Sequence, residues 1–80
     1  MIVLITGCCG FIGSHVSIRL LELKYDVVGV DVMNDYYDVK IKENNKKILM
    51  EYNNFKFYKE DLVNSDIVDR IKPDKIIHLA

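Results

Sequence analysis

Eighty residues with a net charge of −1 allow one domain at most, in an ordinary globular balance of 50% apolar and 29% charged residues. That balance gives no reason to expect a nucleic acid or an acidic membrane as partner. No apolar run is long enough to span a bilayer, and no signal peptide is expected ahead of the first apolar run.

The first elements read as a strand over 1–6, with no polar alternation, and a helix over 11–24. Ile12, Val16, Leu20 and Leu23 form the helix's apolar stripe, with His15, Arg19 and Glu22 pointing elsewhere. A second buried strand follows over 26–31, then a polar, tyrosine-bearing loop over 32–39. Residues 40–52 read as a helix with Ile41, Ile48, Leu49 and Tyr52 opposite a solvated face of Lys40, Lys42, Lys46 and Lys47. A short strand over 55–59 carries Lys56 and Lys59, which suit a sheet edge. A helix over 62–72, with Ile67, Val68 and Ile71 on one side, is stopped by Pro73, and 75–79 is the last strand.

Strands alternating with helices imply an α/β fold: the N-terminal half of a doubly wound Rossmann fold, as one partial domain over 1–80. Its parallel sheet of four strands should run in the order 3-2-1-4 with three helices, two on one face and the third on the other. Strand 4 then has no further neighbour, and its open edge favours self-association into a homo-oligomer.

Chemistry concentrates between the first strand and the first helix. Gly7, Gly10 and Gly13 follow the apolar run Ile2-Val3-Leu4-Ile5 and open an amphipathic stretch. A buried strand, a glycine turn and a helix N-terminus make a site for a dinucleotide pyrophosphate. The competing reading is a tight turn that holds no ligand. Asp31, 18 residues past Gly13, ends the second strand and is placed to accept hydrogen bonds from an adenosine ribose. Its carboxylate favours a free 2′-hydroxyl, and no Lys or Arg follows until Lys40, so NAD is expected rather than NADP. Cys8 and Cys9 are adjacent and the only cysteines, which leaves neither a disulfide framework nor a zinc site. They read as small packing residues, and free thiols suit a reducing, cytoplasmic compartment. His15 reads as a packing or polar-face residue and His78 as a hydrogen-bonded core histidine; no metal site is expected.

The stretch Thr6-Gly7-x-x-Gly10-Phe11-Ile12-Gly13-Ser14-His15, the pair Asp61-Leu62 and the run His78-Leu79-Ala80 together resemble the extended short-chain dehydrogenase/reductase family. Its nucleotide-sugar epimerases and dehydratases use NAD. The loop Asn34-Asp35-Tyr36-Tyr37-Asp38-Val39-Lys40 is similar to that of UDP-glucuronate 4-epimerases. The resemblance covers the whole chain, as the N-terminal part of a far longer protein. It implies oxidation and re-reduction at sugar carbon 4, with a tyrosine base and bound NAD.

Position by position, the resemblance implies that Gly7, Gly10, Phe11, Ile12 and Gly13 hold the pyrophosphate. Asp31 and Asn34 would hold the ribose, Asp61 and Leu62 the adenine, while Leu79 and Ala80 border the nicotinamide side. Val32 stands where the family often has Asn, which removes one polar ribose contact. The family's catalytic Tyr-x-x-x-Lys pair belongs on a later helix. Tyr36/Lys40 and Tyr52/Lys56 match its spacing but fall in the wrong places, so no catalytic residue is assigned within 1–80. Two alternatives stand beside the epimerase. One is a nucleotide-sugar 4,6-dehydratase sharing the same first half. The other is a truncated, non-catalytic remnant acting as a structural or self-assembling module.

Overall fold

The computed structural model describes residues 1–33, 39–61 and 65–79. Four parallel strands form one sheet: β1 (Ile2–Thr6), β2 (Asp26–Val30), β3 (Phe55–Tyr58) and β4 (Lys75–His78), in the order β3-β2-β1-β4. The order and direction are those expected from the alternation of elements. Three helices make the connections: α1 (Phe11–Glu22), α2 (Val39–Leu49) and α3 (Ile67–Ile71).

Alternation along β1 sorts the core onto two faces. Val3 and Ile5 pack with Leu21 of α1, Leu49 of α2, Val27, Phe55 and both cysteines. Leu4 points the other way, to Val28, Val30 and Ile67 of α3, with Val68 and Ile71 half-buried beside them. β1, central in the sheet, is therefore apolar at every interior position. β4 lies at the edge, and Ile76 is exposed.

The expected apolar stripe of α1 is not the face that packs. Ile12 is 62% and Leu23 52% exposed, whereas Gly13, Ser14, Ser17 and Leu21 are buried. The cause is distance. A Cβ on Gly13 would lie 2.0 Å from the Gly7 carbonyl oxygen, so α1 sits almost on the backbone of the turn. Near the turn only the smallest side chains fit, with Leu21 buried further along, and Ile12 and Leu23 are turned outward. Val16 and Leu20 keep partial burial at the flank.

The helix over 40–52 is also corrected. Ile41 and Ile48 are exposed, while Lys42 is buried at 7% exposure. Lys46 is half-buried, its ammonium 4.8 Å from the centre of the Phe57 ring. The expected solvated lysine face therefore holds for Lys40 and Lys47 and fails for Lys42 and Lys46. At the amino ends of the strands, Asp74 Oδ2 accepts from the Ile2 amide at 2.8 Å. There too, Asn54 Nδ2 donates to the carbonyls of Leu21 and Tyr25, closing the end of α1. No helix among the described residues is long and apolar enough to cross a membrane.

Candidate dinucleotide site

All four strands run in one direction, so their carboxyl ends share one rim. There the glycine turn meets the end of β2. Gly7 takes φ 70°, a left-handed conformation that glycine adopts without a Cβ clash. Its amide donates to the Val30 carbonyl at 2.8 Å, which ties the turn to β2. The Gly10 amide donates back to Gly7 O at 3.1 Å, closing a tight turn around Cys8 and Cys9.

Gly10 is then the N-cap of α1. It offers no side chain to the first-turn amides, and no acidic residue stands in that turn. The positive end of the helix is left to an outside anion. A Cβ on Gly10 would meet only Gly7 O, at 3.4 Å. The turn is open where a ligand would approach at Gly10 and closed where the helix packs at Gly13. Phe11 and Ile12 stand exposed at the helix start, and the His15 ring packs tilted against Phe11 with ring centres 4.8 Å apart. His15 Nδ1 donates to Phe11 O at 2.7 Å, in keeping with a packing and polar-face role.

Asp31 is buried at the end of β2 and holds three donors. Oδ2 accepts from the Cys9 amide at 3.0 Å; Oδ1 accepts from the Met33 amide at 2.8 Å and from Lys42 Nζ at 2.8 Å. The carboxylate thus pins the peptide at the tip of the glycine turn besides ending the strand. The acid stands at the end of β2, as expected, with three donors already on its carboxylate. Its cationic partner was not expected from sequence, because Lys42 was assigned to solvent. One signal was available: a strand-end acid flanked by apolar residues requires a counter-charge, and α2 is the next element to supply one.

Cys8 and Cys9 are fully buried, with Sγ atoms 3.7 Å apart. They pack as the sequence suggested: a Cβ on Gly29 would lie 2.6 Å from Cys8 Sγ and 2.7 Å from the Phe55 ring. With Asp31 they bring three donor atoms within 4.8 Å of one another. That carboxylate is already taken up by Lys42 and two amides. The hydrogen bond to Cys9, with burial, pushes the Cys8 thiol well up from its ordinary value and keeps it protonated.

At the β1–β4 seam, Thr6 Oγ1 shares a 2.7 Å hydrogen bond with His78 Nδ1 and accepts from the Leu79 amide at 3.0 Å. His78 is hydrogen-bonded as expected but exposed rather than core, because β4 is an edge strand. Leu79 lies beside the end of β1, and Ala80 falls outside the described residues. So do Asn34 and Leu62, while Asp61 is exposed after β3. Of the two Tyr-x-x-x-Lys matches, Tyr36 is outside the described residues. Tyr52 lies beyond α2 and Lys56 in β3, so that pair shares no helical face. Next to Asp61 in the chain, Glu60 takes both its carboxylate oxygens to Arg70 at 2.8 Å, and Ser65 Oγ donates to the same carboxylate. The Ser65 hydroxyl and the Arg70 guanidinium hold the Glu60 carboxyl below its usual range.

Comparison with known proteins agrees with this geometry. A probable UDP-glucuronate 4-epimerase of Rhizobium meliloti is 46% identical over 81 residues, covering 96% of this chain and 24% of that protein. The UDP-glucuronate 4-epimerase of Thermodesulfobacterium geofontis is 41% identical over 96% of this chain and 25% of its own length. Among solved structures, the Bacillus cereus UDP-glucuronic acid 4-epimerase in complex with UDP-glucuronic acid and NAD superposes with a TM-score of 0.90. It is 36% identical and matches 100% of this chain and 26% of that one. The chain thus spans about a quarter or less of the length of the curated relatives it matches. The family model described as GDP-mannose 4,6 dehydratase matches residues 4–80. The chain therefore belongs to that family, among the nucleotide-sugar epimerases and dehydratases of the extended short-chain dehydrogenase/reductases.

Proposed function

We propose that residues 1–80 form the NAD-binding part of a nucleotide-sugar 4-epimerase acting on UDP-glucuronate. The observation that carries this reading is the glycine N-cap of α1, open and without a side chain to fill it, set beside a buried acid at the end of β2. The B. cereus relative that superposes on this chain is complexed with NAD and UDP-glucuronic acid, which supports both cofactor and substrate class.

In this reading Gly7, Gly10 and Gly13 shape the turn, and the first amides of α1, at Phe11 and Ile12, bind the pyrophosphate. Asp31 and Asn34 receive the adenosine ribose, and Asp61 and Leu62 border the adenine. Leu79 and Ala80 border the nicotinamide side, where Thr6 and His78 clasp β1 to β4. Bound NAD supplies a reversible hydride acceptor for oxidation at sugar C4. Lys42 offsets the charge of Asp31, so the preference for NAD over NADP rests on the acceptor pattern of the carboxylate rather than on bare repulsion of a 2′-phosphate. Tyr52 and Lys56 share no helical face, and the Tyr36/Lys40 match falls in the adenosine-side stretch of the sequence, so in this reading the catalytic base comes from outside residues 1–80, and these residues alone do not catalyse. The compartment we propose is the cytoplasm.

A 4,6-dehydratase is the second reading, favoured by the description of the matching family model. The cofactor half is common to both reactions. Calorimetric titration with NAD, with NADP as comparison, tests the shared part. Saturable NAD binding is expected; its absence in folded protein overturns the cofactor assignment.

A further inference from the structure

Three side chains hold the glycine turn from outside it, and two of them belong to α2. Lys42 acts at one remove, through Asp31. Asn45, one turn further along, acts directly: its Nδ2 donates to the Cys9 carbonyl at 2.9 Å. Asn45 lies 36 residues from Cys9 and is half-buried between helix and turn.

This contact falls on a particular peptide. The Cys8–Cys9 peptide is fixed by its amide, which donates to Asp31. The next, Cys9–Gly10, has its amide on Gly7 O and its carbonyl on Asn45. It leads directly into the uncapped start of α1. Glycine at position 10 has the freedom to let that peptide rotate. Rotation would swing a carbonyl oxygen toward the place where the helix dipole attracts an anion, replacing attraction by repulsion. Asn45 satisfies the carbonyl in its present orientation and opposes that rotation.

We propose that Asn45 is a positioning residue for diphosphate recognition, setting the Cys9–Gly10 peptide so that the start of α1 is presented to the cofactor's pyrophosphate. The proposal rests on the cofactor reading above. It makes α2 a part of the binding machinery as well as a crossover helix, and Asn45 acts without touching the ligand.

The test uses Asn45→Leu, which keeps size and neutrality and removes the donor, and Asn45→Gln, which restores an amide. Each is titrated with ADP and with adenosine, and amide exchange is followed at Gly10. Losing one hydrogen bond's worth of pre-organisation should weaken ADP binding by about three- to tenfold in Asn45→Leu. Adenosine affinity should be unchanged, Gly10 exchange faster, and Asn45→Gln should recover part of the loss. Unchanged ADP affinity, or equal losses for ADP and adenosine, overturns the proposal. If the wild-type protein binds adenosine as tightly as ADP, the turn holds no diphosphate, and the cofactor reading falls with it.

Discussion

Gly10 and Gly13 lie three residues apart and answer different demands. At Gly13 an added Cβ meets backbone at 2.0 Å, and backbone cannot give way. Gly13→Ala should therefore destabilise the fold at the upper end of the about 1–3 kcal/mol typical of overpacked sites, or beyond it, as measured by denaturant unfolding. At Gly10 the nearest atom is 3.4 Å away and the backbone, at φ −72° and ψ 176°, suits any residue. Gly10→Val should stay folded, with a loss of about 1 kcal/mol from the poorer N-cap, and fail to bind NAD in the calorimeter; wild-type affinity would refute the phosphate turn. Ser17 is simpler. Its hydroxyl is buried on α1 without a hydrogen-bond partner among the described residues. Ser17→Ala removes an unsatisfied group and improves helix propensity, so a gain of about 1 kcal/mol in unfolding free energy is expected. A loss would show that the hydroxyl has found a partner.

Between elements, the Lys42–Asp31 pair joins α2 to the end of β2 with both side chains out of water. Lys42→Met leaves a buried carboxylate without its cation, and breaking such a pair costs about 3–5 kcal/mol. Adding Asp31→Asn should recover much of that loss, and additive losses in the double-mutant cycle would show that the two residues act independently. Asp31→Ala alone is a poor probe of ribose binding, because it also frees the Cys9 amide and strands Lys42. The Glu60–Arg70 pair lies in the open between β3 and α3. The Ser65 hydroxyl and the Arg70 guanidinium lower the Glu60 pKa below 4.5 in the folded state. The stability this contributes is present above the unfolded value and lost as pH falls through the folded one. Glu60→Gln should flatten the acid limb of the stability profile below about pH 4.5 and leave neutral pH little changed, since an exposed pair contributes little there. An unaltered acid limb would count against it.

For the whole molecule, strand order and direction were legible because apolar strands alternate with helices, and one handed topology satisfies that pattern. The glycine turn and Asp31 were legible from spacing, for the same reason that such sites recur: a strand end, a tight turn and a helix start are local in the chain. Two things were not legible. The buried face of α1 is set by how closely its axis approaches Gly7, so Ser17 is covered while Ile12 faces water. The burial of Lys42 and the reach of Asn45 depend on where α2 docks, a matter decided by contacts 11 and 36 residues away. Periodicity reads the apolar moment of a helix. It does not register a single long cation that another element needs.

The shared direction of the four strands also divides labour between the two ends of the sheet. At the amino ends, Asp74 on Ile2 and Asn54 on the carbonyls of Leu21 and Tyr25 work as fasteners, and their partners are main-chain groups of neighbouring elements. At the carboxyl ends, Asp31, Asn45 and Thr6 bind main-chain groups of the very loops that would meet the cofactor. One margin closes the fold and the other shapes its grip. Sequence drift along the first is felt as a change in melting alone, and along the second also as a change in what the protein can hold.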